Sequence, residues 1–271
     1  MTDRDQLKKA HVHVSKFLAK RRQNQPLLAL QRSDEFKRFY TLFVTALMKQ
    51  ADHVAETLRR MPEDTKPVGD SLASQIPPLN SLIETDEVFQ GLKYSFEHGV
   101  KTSYRRSGLI VKATVPFRLT NTLYIAALLD RAAYLLNRSS IDETTIAQLT
   151  GIVGRGATGG MTPVEIASLI EQSFPEMAQS RADMISRTEL ANSMGDGNMA
   201  AMTQNGVTTK SWVTAGNDPC DICLENEAAG EIPVDQSFPS GDMSEPAHPN
   251  DECYVEGGEI DLDTVDVWNG S

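Results

Sequence analysis

Apolar residues recur every three or four positions along most of the chain up to about Asn205, the period of helices with one buried face. Leu7, Ala10, Val14 and Phe17 with Leu18 make the first stripe, predicting an amphipathic helix over Asp3 to Arg22 that Pro26 ends. The clearest stripe follows. Phe36, Phe39, Phe43, Leu47, Ala51, Val54 and Leu58 run down one face of a helix that starts after Ser33, carries Asp34 and Glu35 in its first turn, and stops before Pro62. Met61 to Pro78 contains four prolines, loses the period and reads as a loop.

The helical period then returns. Ser81-Leu-Ile-Glu84 has the form of a capping box and leads through Phe89, Leu92, Phe96 and Val100 to an end near Gly108, with Gly91 and Gly99 as close-packing positions. Another helix starts at Thr120 and carries Ile125, Leu128, Ala132 and Leu135. The next opens at Ser140-Ile-Asp-Glu143, passes Ile146, Leu149 and Val153, and stops in the glycine-rich run Gly154 to Gly160, a helix–helix connection. Thr162-Pro163-Val-Glu165 is the strongest start signal in the chain, with an N-cap hydroxyl, proline at the first helical position and glutamate three residues after the cap. It predicts a helix to Phe174-Pro175, followed by a separate, longer one through Ala182, Ile185, Leu190, Met194 and Met202 to Asn205-Gly206.

Strand-like patterns are few. Leu109 to Val115 is apolar and β-branched and ends at Pro116. Beyond Gly206, Lys210 to Ala215 reads as a strand, with Ile232-Pro-Val234 and Tyr254-Val255 as short partners and prolines 233, 239, 246 and 249 in the turns. The fold class is therefore α+β and mostly helical. A helical N-terminal region, 1–115, suited to binding a partner, precedes a second domain over 116–255. The strands of that domain form a small module over 207–255, and an extended acidic tail occupies 256–271.

Composition narrows the picture. In 271 residues, 40% hydrophobic and 23% charged, there is no apolar run long enough to span a membrane and no apolar signal segment at Met1-Thr-Asp-Arg, so a cytosolic origin is expected. The net charge of −11 is uneven: the residues to Ile110 hold 18 Lys and Arg against 13 acidic groups, whereas no Lys or Arg follows Lys210 and 15 acidic residues do. A region of that sign repels nucleic-acid backbones. Any contact with DNA falls to Lys8, Lys9, Lys16, Lys20, Arg21 and Arg22, whose simpler reading is the solvated face of a helix.

The candidate chemistry is concentrated. All three cysteines and the last histidine lie within Cys220-Asp-Ile-Cys223 and His248-Pro-Asn-Asp-Glu-Cys253. Two thiolates three positions apart, with a later imidazole and thiolate, suit the tetrahedral set of a structural zinc site. A catalytic metal would need an open position and a base; Asp251 and Glu252 are near in sequence, but there is no HExxH. The third reading is packing without metal. His11 and His13 point to different helix faces. The run Gly154 to Gly160 has neither a preceding strand nor a following Lys-Ser/Thr, so it is no phosphate loop. A single histidine after His98 leaves no Ser/His/Asp set.

The run Arg181-Ala-Asp-Met-Ile-Ser-Arg187-Thr188-Glu189 resembles the R-A-x-x-I-A-R-T-E segment of phage Mu F-like head-morphogenesis proteins. The order that follows is also similar: Asn205-Gly206-Val207, Lys210-Ser-Trp212-Val, Asp218-Pro219-Cys220-x-x-Cys223, Ile232-Pro233-Val234, Phe238-Pro239, and Pro246-Ala247-His248-Pro249-Asn250 before Cys253. Upstream, Thr162-Pro163-Val-Glu165-Ile166-Ala is similar to the family's short helix before that segment. The resemblance covers about Pro116 to Val255 and implies a Mu F-like domain whose residues 207–255 are a zinc-knuckle-like part. It implies a minor head protein of a tailed bacteriophage, a non-enzymatic virion component assembled in the host cytoplasm. Portal protein and major capsid or scaffolding protein would be its partners, with a part in DNA packaging or ejection. The alternative is a metal-dependent nuclease or processing enzyme of the head. Where many members read H-P-N-C-R-C, this chain has Asp251 and Glu252 in place of the first cysteine and the arginine. The expected ligands are therefore Cys220, Cys223, His248 and Cys253, with zinc as the ion.

Overall fold

A computed structural model describes residues 26–106, 122–137, 139–215 and 219–259. The expected helix over Asp3 to Arg22, with its basic cluster, and the expected strand over Leu109 to Val115 lie outside the described residues, as do residues 260–271. The fold is α+β and mostly helical, with one three-stranded antiparallel sheet among the described residues. The helices are α1 (Pro26–Gln31), α2 (Asp34–Arg59), α3 (Gly69–Ala73), α4 (Thr85–Arg106), α5 (Thr122–Leu136), α6 (Ser139–Thr158), α7 (Pro163–Gln204) and α8 (Asp221–Ala228). The strands are β1 (Thr209–Val213), β2 (Glu231–Pro233) and β3 (Tyr254–Gly257).

The chain divides into two compact units. The first gathers the described residues of 34–93 and 119–187, the second those of 1–33, 94–118 and 188–271. In the first unit, Phe36, Phe39, Phe43, Leu47, Ala51, Val54 and Leu58 of α2 are all buried, as their spacing requires. Phe39 and Phe43 stack obliquely, with ring centres 5.2 Å apart. Gly91 of α4 lies against the ring of Phe39, which leaves no room for a side chain there. Buried Gln50 donates to the carbonyl of Pro77 at 2.8 Å and to Asp142 Oδ1 at 2.9 Å, tying α2 to the proline-rich segment and to α6. Arg181 donates to the carbonyl of Ile141 at 3.1 Å, and burial lowers its pKa.

Several sequence expectations are corrected in α1, in the first unit and in α7. Pro26 opens a helix, α1, as a proline at the first helical position can, because its missing N–H would have no partner there. The expected loop over Met61 to Pro78 contains α3, whose Leu72 is buried and whose Gly69 lies against Thr150 of α6. The Ser81 capping box does not form. Ser81 ends a 3-10 turn over Leu79–Ser81, where its hydroxyl donates to the carbonyl of Pro78 at 2.7 Å, and α4 starts at Thr85. Helix α6 does not stop at Gly154 but continues to Thr158. Gly156 is the point of close approach to Ile166, and the chain turns only at Gly160, where φ is +79°. Helix α7 is one helix of 42 residues with Pro175 inside it. An interior proline costs about 3 kcal/mol or more, through the lost bond to the carbonyl four residues back and the clash of its ring with that carbonyl. Here Ile170, Phe174, Ala178 and Ala182 are fully buried around it, and their burial outweighs that loss.

The start of α7 does form as its sequence predicts. Glu165 Oε2 accepts the backbone N–H of Thr162 at 2.7 Å and its hydroxyl at 2.9 Å, while Thr162 Oγ1 accepts the N–H of Glu165 at 3.3 Å.

In the second unit, α4 and α7 meet backbone to backbone. A side chain on Gly99 would strike Met194, and one on Gly197 would strike the carbonyl of Phe96. Ser95 donates to the carbonyl of Leu190 at 2.5 Å. After α7 come the strands, in the order β2-β1-β3, both neighbours antiparallel to β1. Lys210 faces Ile232 on one side and Gly257 on the other, and Trp212 faces Val255. Glu256 and Gly257, expected to begin an extended acidic tail, belong to β3 because they pair with Ser211 and Lys210. Met202, Val207, Trp212, Cys223, Ile232, Phe238, Cys253 and Val255 form the core of this module, with Trp212 and Phe238 edge to face at 5.1 Å.

Candidate metal centre

The donors sit on two pieces of the module. Cys220 is the N-cap of α8, with φ −71° and ψ 165°, and Cys223 lies in the first turn, where Leu224 N–H closes back on the Cys220 carbonyl at 3.0 Å. The first turn of this helix brings both sulfurs to one side. Two polar clamps hold α8. Buried Asn226 donates to Ser240 Oγ and accepts from Ser240 N–H, both at 3.0 Å. Glu227 accepts from the hydroxyl of Thr214 at 2.8 Å.

The second piece is the turn His248 to Cys253. Asp251 N–H donates to the carbonyl of His248 at 3.2 Å, and Asn250 takes a left-handed conformation, φ 60°, which asparagine tolerates better than most residues. His248 Nε2 comes within 3.1 Å of Cys220 Sγ and 3.4 Å of Cys223 Sγ. Its Nδ1 is 2.9 Å from the carbonyl of Pro249. That acceptor calls for a proton on Nδ1 and leaves the lone pair of Nε2 aimed at the sulfurs, the tautomer a metal-binding imidazole uses.

Two overlapping triads result: Cys220, Cys223 and His248, then Cys223, Asp251 and Cys253, each with donor atoms within 4.8 Å of one another. Cys223 belongs to both. With bonds of about 2.3 Å to sulfur and 2.0–2.1 Å to nitrogen, a tetrahedral zinc would hold S and N about 3.5 Å apart. The two S···N distances here are somewhat shorter than that. The cluster has the donors and the spacing to hold a metal ion. All four residues expected from the sequence are in it, and Asp251 is a fifth member.

Charge in the site follows burial. The Cys223 N–H hydrogen bond to the Cys220 sulfur is the main reason the Cys220 thiol is held below its ordinary value. Burial, then the Asp251 carboxylate, pushes the thiol of Cys253 up to about 12, and the same two causes raise Cys223. Burial draws His248 down, but the Pro249 carbonyl, Asp251 and Cys220 together outweigh it and leave the imidazole raised. A divalent cation reverses this balance for thiols by stabilising the thiolate.

Outside the cluster, Arg187 pairs with Asp183 at 2.8 Å one turn away on α7, and Glu189 is buried. His11 and His13 lie outside the described residues. Among the described residues no helix is long and apolar enough to cross a membrane. Comparison of the chain with protein-family models, curated proteins and solved structures gives no match.

Proposed function

We propose that this chain is a non-enzymatic structural protein of a bacteriophage head, a minor capsid component that acts beside the portal in head morphogenesis and assists DNA packaging or ejection. One observation carries the reading: the motifs that resemble Mu F-like proteins follow the architecture in order. The Arg181 to Glu189 segment lies on α7. Lys210-Ser-Trp212 is β1, Cys220 to Cys223 begins α8, Ile232-Pro233 is in β2, Phe238 fills the core, and His248 to Cys253 is the donor turn.

In this reading the ion is zinc in a structural role, held by Cys220, Cys223, His248 and Cys253. Three thiols and an imidazole suit zinc better than a hard cation. The residues around it hold α8 and the donor turn together, and the ion adds a cross-link to a module with a small core. The partners are portal protein and major capsid or scaffolding protein, in a head assembled in the host cytoplasm. DNA contact is assigned to the basic residues between Lys8 and Arg22, and protein or solvent to the acidic region after Lys210.

Particles of the virus whose genome encodes this chain test the proposal. Peptides of the chain in the particle and cryo-EM density for it at the portal vertex are expected. Its absence from both procapsids and mature heads overturns the reading. Cleavage of DNA or capsid protein by the purified chain with a divalent metal would replace it with that of a processing enzyme.

A further inference from the structure

We propose that Asp251 is a positioning residue of the metal centre: its carboxylate fixes His248 and Cys253 for the ion and does not ligate it. The inference rests on the metal-binding reading above and concerns what this chain does with a buried carboxylate among its sulfurs.

Asp251 is 3% exposed, so its carboxylate depends on protein partners. Those partners are backbone groups at the two ends of the donor turn. Oδ2 accepts the N–H of Ala247, the residue before His248, at 2.9 Å. Oδ1 accepts the N–H of Cys253 at 2.8 Å and stands 3.6 Å from Cys223 Sγ. One side chain thus closes the turn that carries the last two donors and touches the sulfur common to both triads.

Swinging the carboxylate onto the ion would strip acceptors from two N–H groups, each of which is costly to leave unsatisfied. In the zinc reading above, three thiols and an imidazole make up the four-coordinate set, so a fifth ligand adds little. The balance favours the carboxylate as the support of the ligands.

The test uses the full chain, with Co2+ as a spectroscopic probe and Zn2+ affinity measured by chelator competition. Wild type is expected to bind Co2+ with the thiolate charge-transfer and tetrahedral ligand-field bands of the three-sulfur, one-nitrogen set. Asp251→Ala should bind about 10- to 100-fold more weakly, with the bands in the same positions. Asp251→Asn, which retains one acceptor oxygen, should fall between the two, and it carries the comparison if Asp251→Ala does not fold. Unchanged affinity in both variants overturns the proposal. Bands that move on substitution overturn it by making Asp251 a ligand. Wild-type protein that takes up neither Co2+ nor Zn2+ overturns the metal reading itself, a result that needs no variant.

Discussion

The ammonium of Lys210 donates to the backbone carbonyl of Met243 at 2.6 Å and lies 5.1 Å from the centre of the Phe238 ring. Lys210 is on the middle strand and has no exposed surface. Its stem packs as an apolar chain while its charge fastens the loop that leads to His248. Burial lowers its pKa, with Asp235 and Glu245 opposing. Lys210→Ala is expected to cost about 2–3 kcal/mol in urea unfolding, since it removes a charged hydrogen bond and orphans a carbonyl. Lys210→Met keeps the stem and should cost less. Equal losses would mean that the stem contributes nothing.

Purification without chelator should give one zinc per chain by elemental analysis. Free zinc at about 1,000 times its Kd would stabilise the fold by about 4 kcal/mol, and chelation should remove that increment from the unfolding midpoint. Cys220→Ser should remove most of it, because Cys220 is a donor outside the hydrophobic core. A Cys220→Ser protein as stable as wild type with zinc present would rule out the structural ion.

Phe43 is fully buried on α2 beside Phe39. Phe43→Ala should cost about 3–5 kcal/mol in the isolated protein. A negligible loss by chemical denaturation would be incompatible with an enclosed site.

Glycine to alanine inside a helix ordinarily stabilises by up to about 1 kcal/mol. At Gly197 the sign should reverse. The added methyl meets the carbonyl of Phe96, a backbone group that cannot turn aside, and overpacking typically costs about 1–3 kcal/mol. Gly154→Ala, where nothing lies within 4 Å, is the control and should gain stability. A Tm for Gly197→Ala at or above the control's would contradict the close contact.

Glu165 has its carboxyl held below the ordinary range by the backbone N–H and then the hydroxyl of Thr162. A depressed carboxyl stabilises the fold above the unfolded value, near 4.5, and that contribution disappears as pH falls through the lower folded value. Glu165→Gln should therefore lower stability at pH 7 and flatten its fall below pH 4.5. Thr162→Ala, which removes the cap, should cost about 1 kcal/mol. Parallel acid-denaturation curves for wild type and Glu165→Gln would refute the linkage.

Much of this architecture is legible in the sequence where one local signal dominates. The α2 stripe, the Thr162 cap and the three strands around Trp212 are such places: period, cap chemistry and β-branching each act over a few residues. The misreadings arise where tertiary contact overrules local preference. Pro175 and Gly156 read as breaks, but burial of Phe174 and the approach of Ile166 keep α7 and α6 continuous. Ser81 has the spacing of a cap, yet it ends a 3-10 turn whose preceding residue, Pro78, takes its hydroxyl. In the candidate metal centre the spacing of sulfur and imidazole picks out four residues that the fold brings into one cluster. The role of Asp251 was hidden because its partners are backbone N–H groups, which leave no mark in a sequence.

The pairing of β1 with β3 also sets an order of events on the ribosome. Val213 is synthesised 41 residues before its partner Tyr254. At about 5–20 residues per second, that interval is roughly 2–8 s. For about the first half of it, until Glu231 to Pro233 follow, the middle strand has neither neighbour; after that it has β2 on one side and an open edge on the other, with Trp212 still lacking its partner Val255. The nascent module is most exposed to mispairing in that window, which closes only when Tyr254 to Gly257 emerge and dock.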